Sequence, residues 1–376
     1  MTNPRPAAVV GASVDTIDTP ALVIDLDAMQ HNLAVMAAFA REHKLRLRPH
    51  AKMHKCAAIA KLQIAAGAVG VCVQKLSEAE ALADAGINDI YISNEVIAPH
   101  KLARLAQLAG RITLAVAVDS ALGITRLGEA LEAAGSSVNV FVEIDVGQGR
   151  CGVAPTAAGA LAHQVVAQGL RFAGLQAYNG RAQHLRDAGE RDAAVRHSVA
   201  LARAAQASIT ASGIACPLVT GAGTGSFALD AQSGLYGELQ PGSYLFMDAD
   251  YADNELGASA PRFEHALFVK TQVVSRSSAH AVVDAGHKSH AIDSGMPRVW
   301  QHELDYANGG DEHGIVRPNE TATRAELPRL GDTLWLVPGH CDPTVNLHDH
   351  YIVVRGGLVS GVIEAIWPID SRGCLT

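Results

Sequence analysis

Residues 48–55 place a reactive amine among other basic side chains. Lys52 has His50, His54 and Lys55 within three positions of it. A short alternating run at 45–48 predicts a strand before it, and the pattern at 56–62 predicts a helix after it. Strand-to-helix loops carry the reacting groups of α/β enzymes. Like charges and partial desolvation lower the pKa of a lysine, which would make Lys52 a nucleophile toward carbonyl carbons. On these residues alone a solvated basic loop is the favoured interpretation, and the rest of the chain shifts the balance toward the nucleophile.

A second cluster suits a metal ion. If residues 340–342 are extended, His340 and Asp342 point to the same side and Cys341 points to the other. One imidazole and one carboxylate suit Mn²⁺, Mg²⁺ or Co²⁺, and two protein ligands leave positions open for water and substrate. A chance pairing among 17 histidines is the alternative, and residues 348–350 form a rival pair.

A glycine-rich segment at 221–226 follows a predicted strand and ends in hydroxyl residues. Such a loop exposes N–H groups that can cradle a phosphate, although it lacks the Gly-Lys-Ser/Thr of a Walker loop and on its own is often only a turn. Together with a loop lysine, it predicts pyridoxal 5′-phosphate. Arg150 is then a candidate for the phenolate side and Tyr178 for the ring. Their simpler roles are a surface arginine and a packing residue at the barrel rim.

An alternation of strands and alanine-rich helices positions these side chains. The predicted strands are 45–48, 69–73, 89–93, 112–118, 138–144, 171–177, 217–220 and 235–240. Eight strands predict a closed (β/α)8 barrel of the TIM type. The alternative, a doubly wound open sheet, lacks the expected Gly-x-Gly-x-x-Gly turn.

From about residue 263 the pattern becomes rich in strands and turns, which predicts a second, mainly β domain. Its predicted strands are 266–274, 281–284, 333–337, 351–354 and 358–366. An additional strand at 21–26 would make nine in the barrel, so we expect it to join the β domain. The predicted units are 1–26 (a tail, including Pro4–Pro6, and this strand), 27–262 (barrel) and 263–376 (β domain).

Composition narrows the class of protein. The 376-residue chain has a net charge of −8 and no basic run, which argues against nucleic acid as a partner. No apolar run reaches about 18 residues and no signal-type segment begins the chain, so we expect neither a membrane span nor secretion. Six cysteines without Cys-x-x-Cys spacing are typical of a reduced, cytoplasmic protein.

Several motifs in one order carry a family resemblance over nearly the whole chain. They lie at 48–55, 148–152, 176–178, 223–226, 242–248, 311–314 and 340–344. Together they resemble the metal-activated D-threonine aldolases, which share the alanine-racemase-like fold of pyridoxal-phosphate enzymes with D-serine dehydratase. The resemblance implies a barrel plus β domain and a head-to-tail homodimer.

The resemblance also implies roles for single residues. Lys52 would form the Schiff base with the cofactor, and His184 would be the base. The implied cofactor contacts are Gln74 and Arg150 at the phenolate side, Tyr178 near the ring, and Gly223, Thr224, Gly225 and Tyr244 at the phosphate. His340 and Asp342 would bind the divalent metal, with Mn²⁺ favoured over Mg²⁺ or Co²⁺.

The implied activity is cleavage of D-β-hydroxy-α-amino acids, with D-threonine giving glycine and acetaldehyde. An aldolase for D-3-hydroxyaspartate is the alternative within the family, and Arg181 is a candidate partner for its second carboxylate. A dehydratase fits less well, because that group has a cysteine where this chain has Asp342. A non-catalytic pyridoxal-phosphate carrier resembles the barrel alone.

Overall fold

The computed structural model describes residues 7–257, 260–320 and 326–376. The predicted tail at Pro4–Pro6 lies outside the described residues. Two sheets organise the described chain, one of eight strands and one of nine.

The eight-stranded sheet is entirely parallel and runs through the strands in barrel order. Its strands are Arg46–Leu47, Val71–Val73, Asp89–Glu95, Thr113–Val118, Asn139–Glu143, Arg171–Ala177, Val219–Gly221 and Glu238–Leu239. Its two ends are joined by main-chain hydrogen bonds, from Val69 to Leu47 (2.9 Å) and from Ala51 to Cys72 (2.7 Å). The predicted barrel is therefore confirmed, with every predicted strand present.

Helices precede or follow the barrel strands along the chain. They are Leu26–Glu42, Ala57–Ala65, Leu76–Asp84, Pro99–Ala109, Ala121–Ala134, Ala158–Ala167, Ala188–Ala211, Phe227–Gln232 and Ala249–Ala252, with 3₁₀ turns at Val14–Thr16, Pro155–Ala157, Arg181–His184 and Ser243–Leu245. Side-chain caps fix several starts: Asp25, Ser120 and Asp187 each accept a hydrogen bond from the first turn that follows. In the described ranges no helix has the length and apolar character that crossing a membrane requires.

The nine-stranded sheet forms the mainly β part. Its strands are Ala21–Asp25, Leu267–Arg276, Ala281–Val283, Arg298–Val299, Leu304–Asn308, Gly314–Pro318, Thr333–Val337, His350–Arg355 and Val362–Pro368. As expected, Ala21–Asp25 joins it, antiparallel to Leu267–Arg276 and parallel to His350–Arg355. The domain boundaries at 26 and 262 stay predictions.

The sequence did not predict three strands of this part: Arg298–Val299, Leu304–Asn308 and Gly314–Pro318. Two further features differ from the prediction. The predicted strand at 358–366 begins only at Val362, because a short helix, Gly357–Ser360, precedes it. Gly356 and Gly357 have φ values of +85° and +81°, a left-handed conformation that interrupts a strand. The second difference is Cys341–Val345, which is helical rather than extended.

Candidate active site

Lys52 lies in the turn between the first barrel strand and its helix, as predicted, but its electrostatic setting differs from the expectation. Its ammonium pairs with the carboxylate of Asp342. Burial lowers the pKa of Lys52, and the Asp342 charge outweighs it, so the pKa is raised. The expected pKa depression is therefore wrong for this arrangement. The neighbouring basic groups are occupied elsewhere: His54 contacts Gln63, and Lys55 pairs with Glu78.

Lys52 borders a cavity of about 310 Å³ at the carboxyl ends of the barrel strands. The cavity brings together six of the predicted site residues: Lys52, Gln74, Arg150, Tyr178, Gly223 and Thr224. Gly242 and Ser243 complete the side nearest the glycine-rich loop. No carboxylate lines the cavity in the described part of the chain, whereas two cations do. Its size and charge suit a phosphorylated anionic ligand, so the residues present fit pyridoxal phosphate.

Gln74 is held by neighbours that sequence reasoning did not include. Its side-chain nitrogen lies 3.0 Å from Nε2 of His50 and 3.1 Å from Oγ of Ser93. Burial, reinforced by the Lys52 charge, lowers the pKa of His50 well below its usual value. His50 is therefore a neutral hydrogen-bonding residue beside Lys52, and its position two residues before that lysine was the available signal.

Arg150 and Tyr178 face each other across the cavity mouth. The guanidinium carbon lies 5.9 Å from the centre of the tyrosine ring, within cation–π range. The loop of Arg150 is fixed by the carboxylate of Asp145, which accepts hydrogen bonds from the N–H groups of Gly147 (2.9 Å) and Gly149 (3.0 Å).

Beside this loop lie two acids for which the sequence suggested no role. Glu143 is buried at the end of its strand, and Glu95 contacts it. Burial and the neighbouring Glu95 raise the pKa of Glu143 to about 9. Glu143 therefore carries a proton at neutral pH.

The glycine-rich loop packs closely on Gln183. The N–H of Gly225 donates to Oε1 of Gln183 (2.9 Å), and a Cβ at Gly223 would lie 2.4 Å from the same atom. Thr224 accepts a hydrogen bond from the main-chain N–H of Tyr244 (3.0 Å). The phenol of Tyr244 does not reach the cavity: its ring is fully buried and its oxygen accepts from Gln63 (3.2 Å). Only the main chain of Tyr244 contacts the loop.

His340 and Asp342 come together, although not by the extended geometry that was expected. His340 is extended and precedes the helix Cys341–Val345, whose first turn carries Asp342. Nε2 of His340 lies 3.8 Å from Oδ1 of Asp342, and that oxygen is buried without a hydrogen-bond partner among the described residues. Nδ1 of His340 lies 2.7 Å from a carboxylate oxygen of Asp293.

These contacts fit a divalent metal ion. His340 and Asp342 would supply one imidazole and one carboxylate to such an ion, and Nε2 and Oδ1 of these two side chains lie 3.8 Å apart. The carboxylate of Asp293 contacts Nδ1 of His340, as carboxylates do for the second ring nitrogen of metal-binding histidines. Within the described ranges no group of three or more His, Cys, Asp or Glu side chains is arranged to hold a metal. Burial raises the pKa of the Cys341 thiol well above its usual value, which disfavours a thiolate ligand.

His184 lies at the end of the turn Arg181–His184. Its Nδ1 is 2.6 Å from Oδ2 of Asp250, and its ring centre is 5.4 Å from that of Tyr251, which lines the cavity. Arg181 is exposed and does not line the cavity. Asp250 and Tyr251 follow a motif segment but were not predicted as site residues.

Comparison with known proteins agrees with this architecture. Residues 24–250 match the model of the alanine racemase N-terminal domain, and residues 266–354 match that of a putative serine dehydratase domain. A D-threonine aldolase from Arthrobacter sp. is 47% identical over 98% of this chain and 96% of its own length. A 3-hydroxy-D-aspartate aldolase from Paracoccus denitrificans (strain Pd 1222) is 42% identical over 97% of this chain and 95% of its own.

A solved structure shows the same likeness. The crystal structure of D-threonine aldolase from Filomicrobium marinum superposes with a TM-score of 0.95 at 49% sequence identity. The match covers 99% of this chain and 100% of that one.

Proposed function

The chain belongs to the D-threonine aldolase family of alanine-racemase-like pyridoxal-phosphate enzymes, and on this basis we propose that it cleaves D-threonine to glycine and acetaldehyde with a bound divalent metal. More generally, its substrates are D-β-hydroxy-α-amino acids cleaved between Cα and Cβ. The observation that carries the proposal is the contact of Lys52 with Asp342, because it places the candidate Schiff-base amine beside the candidate metal ligands.

The cavity residues would hold the cofactor. Lys52 is the point of attachment, Arg150 and Gln74 serve the phenolate side, and Tyr178 lies near the ring. Gly223, Thr224 and Gly225, with the main chain of Tyr244, serve the phosphate. Pyridoxal phosphate, when bound, supplies the electron sink for the pair left on Cα.

His340 and Asp342 would hold the metal ion. A divalent ion lowers the pKa of an oxygen it contacts, here that of the substrate β-hydroxyl. Mn²⁺ is the favoured ion, since one imidazole and one carboxylate suit it. Asp293 would orient His340. Oδ1 of Asp342, which has no hydrogen-bond partner among the described residues, would offer the ion a negatively charged ligand.

His184 is the proton acceptor in this proposal. Its imidazole packs against Tyr251, which lines the cavity, and an imidazole can act as a general base. The proton of the β-hydroxyl moves to His184, and the substrate carbonyl forms as the Cα–Cβ bond breaks.

The test is direct. The purified protein is incubated with D-threonine, pyridoxal phosphate and Mn²⁺, with and without a chelator, and glycine and acetaldehyde are measured. We expect equal amounts of both products and their loss on chelation. Ammonia and a keto acid instead would contradict the aldolase and indicate a dehydratase, and an absence of turnover with cofactor bound would indicate a carrier.

D-3-hydroxyaspartate is the second candidate substrate, supported by the 42% identity to an aldolase of that name. Its second carboxylate needs a cation. Arg150 lines the cavity, whereas the candidate Arg181 does not. Relative kcat/KM for the two substrates separates the alternatives. We also propose a homodimer, which light scattering after gel filtration tests.

A further inference from the structure

Asp250 contacts the candidate base and, through its main chain, the loop that precedes the candidate metal ligands. The carboxylate is 6% exposed, and its Oδ2 lies 2.6 Å from Nδ1 of His184. The main-chain N–H of the same residue donates to the carbonyl of Gly339 (3.2 Å). One residue thus links the two groups that must act on the same hydroxyl.

Arg186 fixes the other side of this carboxylate. Its Nη2 pairs with Oδ1 of Asp250, and its Nη1 donates to the carbonyl of Asp250 (2.5 Å) and to Oδ1 of Asn254 (2.8 Å). An arginine is permanently charged and only donates hydrogen bonds. The carboxylate of Asp250 therefore cannot rotate away from His184 without losing its pairing with Arg186.

The contact also selects a tautomer of His184. A carboxylate only accepts hydrogen bonds, so Nδ1 of the neutral imidazole must carry the hydrogen and Nε2 must carry the lone pair. Nε2 is then the atom able to accept a proton, and the imidazole stands against Tyr251 at the cavity.

The two residues before Asp250 hold the metal-side loop. The carboxylate of Asp248 accepts from the N–H of Cys341 (3.0 Å), and the N–H of Ala249 donates to Pro338 (3.0 Å). Consecutive residues therefore set the positions of both His184 and the loop that carries His340.

We propose that Asp250 is the positioning residue of the base. It holds the His184 ring with hydrogen on Nδ1, so that Nε2 can accept a proton, and it sets the position of this ring relative to His340 and Asp342. The inference rests on the proposed function, in which the proton passes from the β-hydroxyl oxygen to Nε2 while its bonding pair stays on the oxygen. Asp250 itself neither touches the substrate nor changes its protonation.

Asp250→Asn tests the tautomer without any turnover. Arg186 needs an oxygen opposite it, so the new amide places its NH₂ toward Nδ1 of His184, which must then become the acceptor. ¹⁵N-histidine NMR of the cofactor-loaded protein, with His184 identified by its loss in His184→Gln, reports which nitrogen carries hydrogen. We expect hydrogen on Nδ1 in the wild type and on Nε2 in Asp250→Asn.

Asp253→Asn is the matched control, since Asp253 is exposed and pairs with Arg298 rather than with the histidine. It should leave the His184 signals unchanged. An unchanged tautomer in Asp250→Asn, with the protein folded by circular dichroism, overturns the proposal.

A double-mutant cycle supplies the second readout. Asp250→Asn should lower kcat by about a hundredfold with little change in KM, since a positioned base contributes about 10²–10⁴-fold. In the His184→Gln background the same change should cost almost nothing, because it acts through the missing imidazole. Equal losses in both backgrounds overturn the proposal. Wild-type inactivity toward every substrate would instead refute the proposed function, and the NMR result would still stand.

Discussion

The two sides of the candidate site are built in different ways. The cofactor side consists of residues that follow the parallel barrel strands. The hydrogen-bonded main chain of the barrel sheet therefore positions Gln74, Arg150 and Tyr178. The metal side is a single loop of the β domain, docked through hydrogen bonds to residues 248–250. A substitution on one side of such a site should therefore abolish cofactor binding or metal binding without abolishing the other.

The largest effect should come from Lys52→Ala, which removes the attachment point on the cofactor side. We expect activity below detection and no absorbance of a lysine-linked cofactor, because no other lysine lines the cavity in the described part of the chain. Metal binding should remain, since His340 and Asp342 stay in place. Absorbance spectra and Mn²⁺ titration measure the two sides independently.

Lys61→Ala is the control, because that lysine is exposed on the helix Ala57–Ala65. It should behave as the wild type. Full activity of Lys52→Ala would remove the basis of the cofactor assignment.

His340→Ala should have the opposite effect to Lys52→Ala: it should impair metal binding and leave cofactor binding intact. We expect weaker Mn²⁺ binding, measured by the electron paramagnetic resonance of free ion, and a kcat lower by about 10²–10⁴-fold, with the cofactor absorbance retained. His350→Ala, from the rival pair at 348–350, serves as the control and should retain both properties. Equal loss in the two variants would contradict the assignment of the metal to His340.

Sequence predicted the cofactor side well because strand order carries its geometry. Once eight strands are recognised, the residues after each strand must meet at one end of the barrel, which is where Lys52, Arg150 and Gly223 are found. Every predicted barrel strand is present. The misses lie in the β domain. A helix at Gly357–Ser360 begins where positive φ values at glycines interrupt the strand pattern, and three strands were not predicted: Arg298–Val299, Leu304–Asn308 and Gly314–Pro318.

Contacts between segments distant in sequence could not be predicted in the same way. The Lys52–Asp342 pair joins residues 290 positions apart and reverses the expected direction of the lysine pKa shift. Asp250 and Asp293 act on His184 and His340 through tertiary contacts alone. Periodicity and motif spacing carry no information on such contacts.

Asp230→Asn tests the cofactor side through stability. Asp230 is buried behind the glycine-rich loop, where it accepts from Ser226 (2.6 Å). Burial raises its pKa to about 7, so folding favours the protonated acid, and stability falls as pH rises from about 4 through about 7. Replacement by a neutral amide should abolish that fall, a difference of up to about 4 kcal/mol.

The measurement is the urea-unfolding free energy of both proteins at pH 5 and pH 8. Asp192→Asn is the control for loss of a surface carboxylate, because Asp192 is half-buried on the helix Ala188–Ala211 and pairs with Arg196. Parallel pH profiles of wild type and Asp230→Asn would show that the buried acid does not govern this dependence.

Tyr244→Phe should have the smallest effect, and it decides whether the phenol or the main chain of Tyr244 serves the cofactor side. Among the described residues the phenol accepts only from Gln63, in the interior, so its loss should cost about 0.5–1.5 kcal/mol of stability and leave cofactor affinity unchanged. Thr224→Val removes the oxygen that holds the main-chain N–H of Tyr244, and should weaken cofactor binding. If the two variants weakened binding equally in a fluorescence titration, the tyrosine ring would belong to the phosphate site. The cofactor side would then depend on side chains as much as the metal side does.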